Sequence, residues 1–171
     1  MVQKATRLLI AAFFGSIIFV TRFFVPMQLD RLLIAVDAVL LALSGLFIKN
    51  VGATYVGAVG GGLVSLARPS LLPFSFIFFV LFGCLVDLSL FIFRVKATSE
   101  GVNRNKLMAA MAFNTLLIGF VSYYAITLFP ELIPSSPTLD FIVAFMGPAT
   151  GATAGYAAAY LWNKYLRNIY A

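Results

Sequence analysis

Apolar residues in this chain come in long continuous runs. Six stand out, approximately at 5–25, 32–48, 51–67, 72–93, 107–129 and 139–165. About 20 apolar residues cross a bilayer as a helix, so each run is a candidate span; the third is broken by glycines and is the weakest. The ten-residue alternation of barrel strands is missing. The first run is too long and too aromatic for a cleaved leader, and no small-residue cleavage pattern follows it before Pro26. The pattern predicts an all-α membrane protein: six transmembrane helices in a single compact bundle, one integral membrane domain over residues 1–171.

Composition strengthens this reading. Apolar residues make up 62% of the 171 and charged residues 11%, against about 45–50% and 25% in a soluble domain. A chain this small leaves about a third of its unfolded-state area exposed even when folded, so lipid must cover much of its exterior. A soluble enzyme, a disordered chain and a disulfide scaffold are excluded. Histidine is absent and Cys84 is the single cysteine, which removes histidine-based metal sites and Ser-His-Asp or Cys-His chemistry. No metal site, no cofactor and no enzymatic activity are expected.

The net charge of +6 is a topology signal. With six spans both termini share a side. On that side lie Lys4, Arg7, Lys49, Arg94, Lys96, Arg104, Lys106, Lys164 and Arg167; only Arg22, Arg31 and Arg68 lie on the other. Short loops rich in Lys and Arg stay cytoplasmic, so both termini are expected inside, in a multi-pass protein of the cell membrane. A nucleic-acid partner is not expected. The outer connections carry Pro26, Pro69, Pro73, Pro130, Pro134 and Pro137, and proline stiffens a loop by locking φ.

Small residues let helix backbones approach in lipid. The third run has Gly57, Gly60, Gly61 and Gly62, and the sixth has Gly147, Gly151, Gly155 and Ala159 at spacing four; both read as packing inside the bundle. The first run has Ala11 and Gly15, with Ala12 and Ser16 one step behind, on a helix otherwise covered by Phe13, Phe14, Ile17, Ile18 and Phe19. That notch is a candidate interface for another membrane subunit.

Ionisable groups inside a membrane usually face a cavity or a partner. Asp37 sits two turns from the outer end of the second run. Asp87 sits two turns from Arg94 in the fourth, where Asn114 or an inner-surface arginine is its expected partner. Candidate ligand contacts gather at the outer mouth: Arg22, Arg31, Asp37, Arg68, Ser70, Phe74, Phe76, Tyr123, Tyr124, Thr127 and Asp140. Arginine forks suit carboxylate or phosphate, and the aromatics suit a flat ring; headgroup snorkelling and the interfacial aromatic belt are the competing roles. No phosphate-binding loop signature is present, so active transport would draw on a gradient or on another polypeptide.

The six apolar runs, the cytoplasmic termini, the notch at Ala11 and Gly15 and the glycine-rich segment from Gly52 to Ser65 resemble the S component of energy-coupling factor (ECF) transporters, prokaryotic importers of vitamins and micronutrients. The family docks its S component through an Ala-x-x-x-Ala motif on the first helix; here the second alanine is replaced by Gly15. The resemblance implies a substrate-binding subunit that captures a small water-soluble vitamin or related micronutrient from outside, in a pocket built by the outer ends of helices four to six and capped by outer loops. Delivery inward would need a transmembrane coupling subunit and ATPase subunits. The nickel and cobalt branch uses an N-terminal histidine chelate that this chain lacks. The alternative is a stand-alone secondary transporter or channel, with Asp37 and Asp87 as an ion or proton relay. A membrane enzyme is disfavoured because these two carboxylates lie towards opposite membrane faces.

Overall fold

A computed structural model describes residues 2–25, 30–48, 51–68, 74–98, 100–127 and 137–167. Six helices follow one another: α1 (Val2–Phe24), α2 (Asp30–Phe47), α3 (Gly52–Ala67), α4 (Phe74–Ile92), α5 (Arg104–Thr127) and α6 (Pro137–Leu161). No strand occurs among the described residues. Each helix coincides with one of the six apolar runs. Three contain stretches long and apolar enough to cross a membrane, Ala5–Phe24, Phe74–Ile92 and Arg104–Ala125. Leu33–Phe47 and Gly52–Ala67 are apolar but shorter.

The glycine patterns explain the tightest pairings, α5 with α6, α3 with α4 and α1 with α3. On α6, a Cβ at Gly151 would run into the Met111 carbonyl and the Thr115 hydroxyl, and one at Gly155 would lie 2.8 Å from the Leu107 carbonyl oxygen. The α5 backbone therefore lies where an α6 side chain would otherwise stand. Thr115 Oγ1 donates across this seam to the Gly147 carbonyl at 2.8 Å. Between α3 and α4 the contact is mutual: Gly57 meets the Phe79 carbonyl, and Gly83 meets Ala53 and the Thr54 Cα, the latter 2.8 Å from its ideal Cβ. Such approaches allow backbone-level van der Waals contact where lipid supplies no hydrophobic drive for association.

Helix α2 touches every other helix, and Ala38, Leu41, Ala42, Leu43, Ser44 and Leu46 are all buried along it. At its far end Phe47 meets the fully buried Trp162 edge-on, with centroids 4.9 Å apart. The opposite surfaces are apolar and open. Leu9 is 70% exposed, Leu66 76% and Phe91 81%, a distribution that a water-soluble protein avoids over large patches.

The connection from α4 to α5 is polar and tightly tied. Residues Thr98 and Gly101 exchange backbone hydrogen bonds at 3.2 and 2.9 Å. Gly101 has φ of 116°, a region that only glycine enters freely, and a Cβ there would sit 2.5 Å from Asn163 Oδ1. Asn103 then caps α5, its Oδ1 accepting the Lys106 amide at 3.1 Å, as helix N-caps do. Asn163 holds the connection from α6: its Oδ1 accepts the Val102 N–H at 2.7 Å, and its Nδ2 donates to the Val102 carbonyl at 3.0 Å. It sits in a π-wound final turn, Trp162–Leu166. The extra residue per turn keeps Trp162 in the core while Asn163 faces the loop.

Candidate functional site

The best-defined polar site joins α1 to α4 at the end where α1 and α3 finish. Arg22 projects from the last turn of α1. Its Nε and Nη2 both donate to Asp37 Oδ2 on α2, at 3.0 and 2.5 Å. The Asp37 side chain is 1% exposed and that of Arg22 15%. The guanidinium carbon of Arg22 also lies 4.7 Å from the centre of the Phe79 ring on α4. Arg68, just past α3, completes the arrangement. Its Nη2 donates to the Arg22 carbonyl and, at 2.7 Å, to the Val25 carbonyl.

Each bond answers a physical need. The last carbonyls of a helix lack intrahelical partners, and a cation there is favoured by the helix dipole; Arg68 supplies both to α1. Asp37, taken out of water, requires a charge-assisted partner, and Arg22 is it. A delocalised guanidinium also stacks on an aromatic face, so Phe79 shields the pair. The result is a desolvated ionic tie spanning four helices.

The expected ligand residues divide accordingly. Arg22, Asp37 and Arg68 come together, held by one another and by the backbone of α1. Tyr123 is buried and meets Tyr124 edge-on at 5.3 Å, while Tyr124 stacks on Phe120 at 6.1 Å and 15°. Phe74 and Phe76 are exposed on α4. Arg31, Ser70, Thr127 and Asp140 lie outside the residues whose side chains the structure describes. Phe79 was not among the sequence candidates; within a helix as phenylalanine-rich as α4, its neighbours by chain order give no hint that it meets Arg22.

In the notch on α1, Gly15 faces inward: an ideal Cβ there would be 2.7 Å from Val59 Cγ1 and 3.1 Å from the Gly60 amide on α3. Ala11, one turn earlier, is also buried. Ala12 and Ser16 are exposed. The two halves of the notch thus lie on different faces, one used by α3 and one free on the surface.

Asp87 corrects an expectation. It bonds neither Asn114 nor Arg94. Its Oδ1 accepts the Ala53 amide at 3.1 Å, and its Oδ2 accepts the Thr54 amide at 2.8 Å and the Thr54 hydroxyl at 2.7 Å. The residue before α3, Val51, has no side-chain cap to offer, so the first turn of α3 takes its cap from α4. Asn114 is fully buried, and neither its amide oxygen nor its nitrogen has a hydrogen-bond partner among the described residues. Both intramembrane-type carboxylates therefore hold helices together.

Among the described residues no group of three or more metal-ligating side chains occurs. A groove of about 720 Å³ lies away from the Arg22 end, between the ends of α2 and α4 that carry Leu46 and Arg94.

A chain whose described residues are all helical, with three helices long and apolar enough to cross a bilayer, has the build of a membrane protein. No protein-family model, no curated protein and no solved structure matches it.

Proposed function

We propose that this protein is the substrate-binding membrane subunit of an ECF-type importer. It takes a small water-soluble vitamin or related micronutrient from outside and delivers it inward together with a coupling subunit and ATPases. In this reading all six helices span the membrane, both termini are cytoplasmic, and the Arg22 end faces outward. The distribution of Lys and Arg supports that orientation.

The observation that carries the reading is the Arg22–Asp37–Arg68 cluster. Four helices converge on it, and the Arg22 guanidinium, 15% exposed, lies beside the Phe79 ring. Arginine beside an aromatic face suits an anionic group attached to a flat ring. The exposed half of the α1 notch, Ala12 and Ser16, suits close approach of a partner helix.

The test is a thermal-shift screen of the purified protein over vitamins and their precursors. A ligand present at about a hundred times its Kd adds roughly 2.7 kcal/mol to stability by mass action, which for a chain of this size raises the melting temperature by about 5 °C or more. If every candidate leaves the melting temperature unchanged, the reading fails. Uptake in cells should then fall on Ser16→Leu while binding persists; equal uptake would argue for a stand-alone carrier.

A further inference from the structure

Helix α4 ends in an unusual way. The Val95 amide bonds the Leu90 carbonyl at 2.9 Å, and the Arg94 amide bonds the Phe91 carbonyl at 3.0 Å. This pair of bonds is the Schellman helix stop, in which the penultimate donor sits in the left-handed region and is usually glycine. Here that position is Arg94, with φ of 50°. A side chain there costs energy that glycine would not, so the fold alone does not explain an arginine.

The surroundings suggest what does. Arg94 and Lys96 line both the 720 Å³ groove and an adjoining one of about 450 Å³, whose far side carries Lys106 and Glu100. Among the described residues, no carboxylate pairs with Arg94, Lys96 or Lys106. Asp87 lies at the floor of the larger groove, but its oxygens accept the bonds from the start of α3, where the helix dipole offsets its charge. The opposite wall is apolar: Leu46, Leu90 and the 81% exposed Phe91. A cationic rim thus adjoins an exposed apolar wall.

We propose that this groove binds an anionic phospholipid, with Arg94 and Lys96 on the phosphate and Phe91 along the acyl chain. A basic pocket between helix ends at the membrane surface fits such a headgroup. The arginine fork offers paired donors to phosphate oxygens, and its left-handed backbone is tolerated for that contact. The assignment needs only that the helices sit in a bilayer; it is independent of any importer role.

The test compares the full chain with Arg94→Gly and with Arg94→Gly combined with Lys96→Gln. Each is reconstituted in nanodiscs of phosphatidylcholine with and without phosphatidylglycerol, and the retained lipid is counted by native mass spectrometry. The parent protein should retain phosphatidylglycerol in preference to phosphatidylcholine. The double variant should lose that preference by roughly tenfold or more, since each cation near the surface contributes on the order of a fivefold factor. Arg94→Gly relaxes the helix stop, so its melting temperature should match or exceed the parent's, which separates lost binding from lost folding. Equal retention of the two lipids, or an unchanged preference in the double variant, overturns the proposal. So does millimolar inorganic phosphate that displaces the lipid as fully as the substitutions do, because that would mark a site for a soluble ion.

Discussion

Asp87 caps a helix to which it does not belong: its Oδ2 accepts both the amide and the hydroxyl of Thr54, at 2.8 and 2.7 Å, one helix away. The free amides of a helix start are ordinarily met by a serine, threonine, aspartate or asparagine just before the first turn. Val51 stands there instead, and the close crossing at Gly83 brings α4 near enough to act. A glycine contact and a carboxylate cap thus form a single device that fixes α3 on α4.

The device predicts strong coupling. Asp87→Ala strips three bonds from a largely desolvated helix start and should destabilise the protein by about 2–3 kcal/mol. Thr54→Val removes only the hydroxyl and should cost about 1 kcal/mol. Unfolding of the two single variants and the double in detergent completes a cycle, with an expected interaction energy of at least about 0.5 kcal/mol. Additive effects would show that Asp87 holds α3 by some other route.

The Arg22–Asp37 pair should behave as a desolvated ion pair. Removing one partner leaves the other charge stranded, at a cost of about 3–5 kcal/mol. Replacing both with apolar residues nearer in volume, Arg22→Met with Asp37→Val, avoids the stranded charge and should cost clearly less than either single change. Chemical denaturation of the three variants decides it. If the double variant is the least stable, the pair is worth more than its desolvation. Arg68→Ala should destabilise as well, because the Arg22 and Val25 carbonyls lose their donor; loss of binding in that variant must therefore be read beside its melting temperature.

Where the helices lie along the chain was legible in the sequence, and how each is turned about its axis was not. The six apolar runs located every helix, and glycines at spacing four identified the α6 face that α5 fills at Gly151 and Gly155. Both signals are one-dimensional. Which side chains meet across helices depends on how each helix is rotated about its axis, and uniformly apolar helices carry little periodic signal to set that rotation. Asp87 was therefore placed on its helix but turned towards Asn114 rather than Thr54. For the same reason Ala11 and Gly15 looked like a surface notch, whereas both are buried. Arg94 in the left-handed region escaped notice because the residue type argues against that backbone state.

Asn114 offers a test of a buried amide. It is fully buried with no hydrogen-bond partner among the described residues, a condition that costs about 1–3 kcal/mol. Asn114→Leu keeps the number and branching of the side-chain heavy atoms and removes the polar ones, so it should raise stability by about 1 kcal/mol in detergent unfolding. A loss of stability instead would mean that the amide is satisfied in the membrane by a group that the folded chain alone does not supply.

The glycines of α3 should divide sharply by position. At Gly57 an added Cβ would collide with the Phe79 carbonyl, a backbone atom that cannot turn aside. Gly57→Ala must push α3 and α4 apart and should cost about 1–3 kcal/mol, as overpacking does. At Gly62 the nearest atom to an added Cβ is Phe76 Cε2, at 3.9 Å, an ordinary contact. Gly62→Ala should therefore be neutral or stabilising by up to about 1 kcal/mol, because alanine is the better helix former. The two residues are five apart on one helix and undergo the same chemical change, so a difference in sign between them isolates the α3–α4 approach from helix propensity. Equal effects in detergent unfolding would mean that α4 does not pass as close to Gly57 as the Phe79 carbonyl requires.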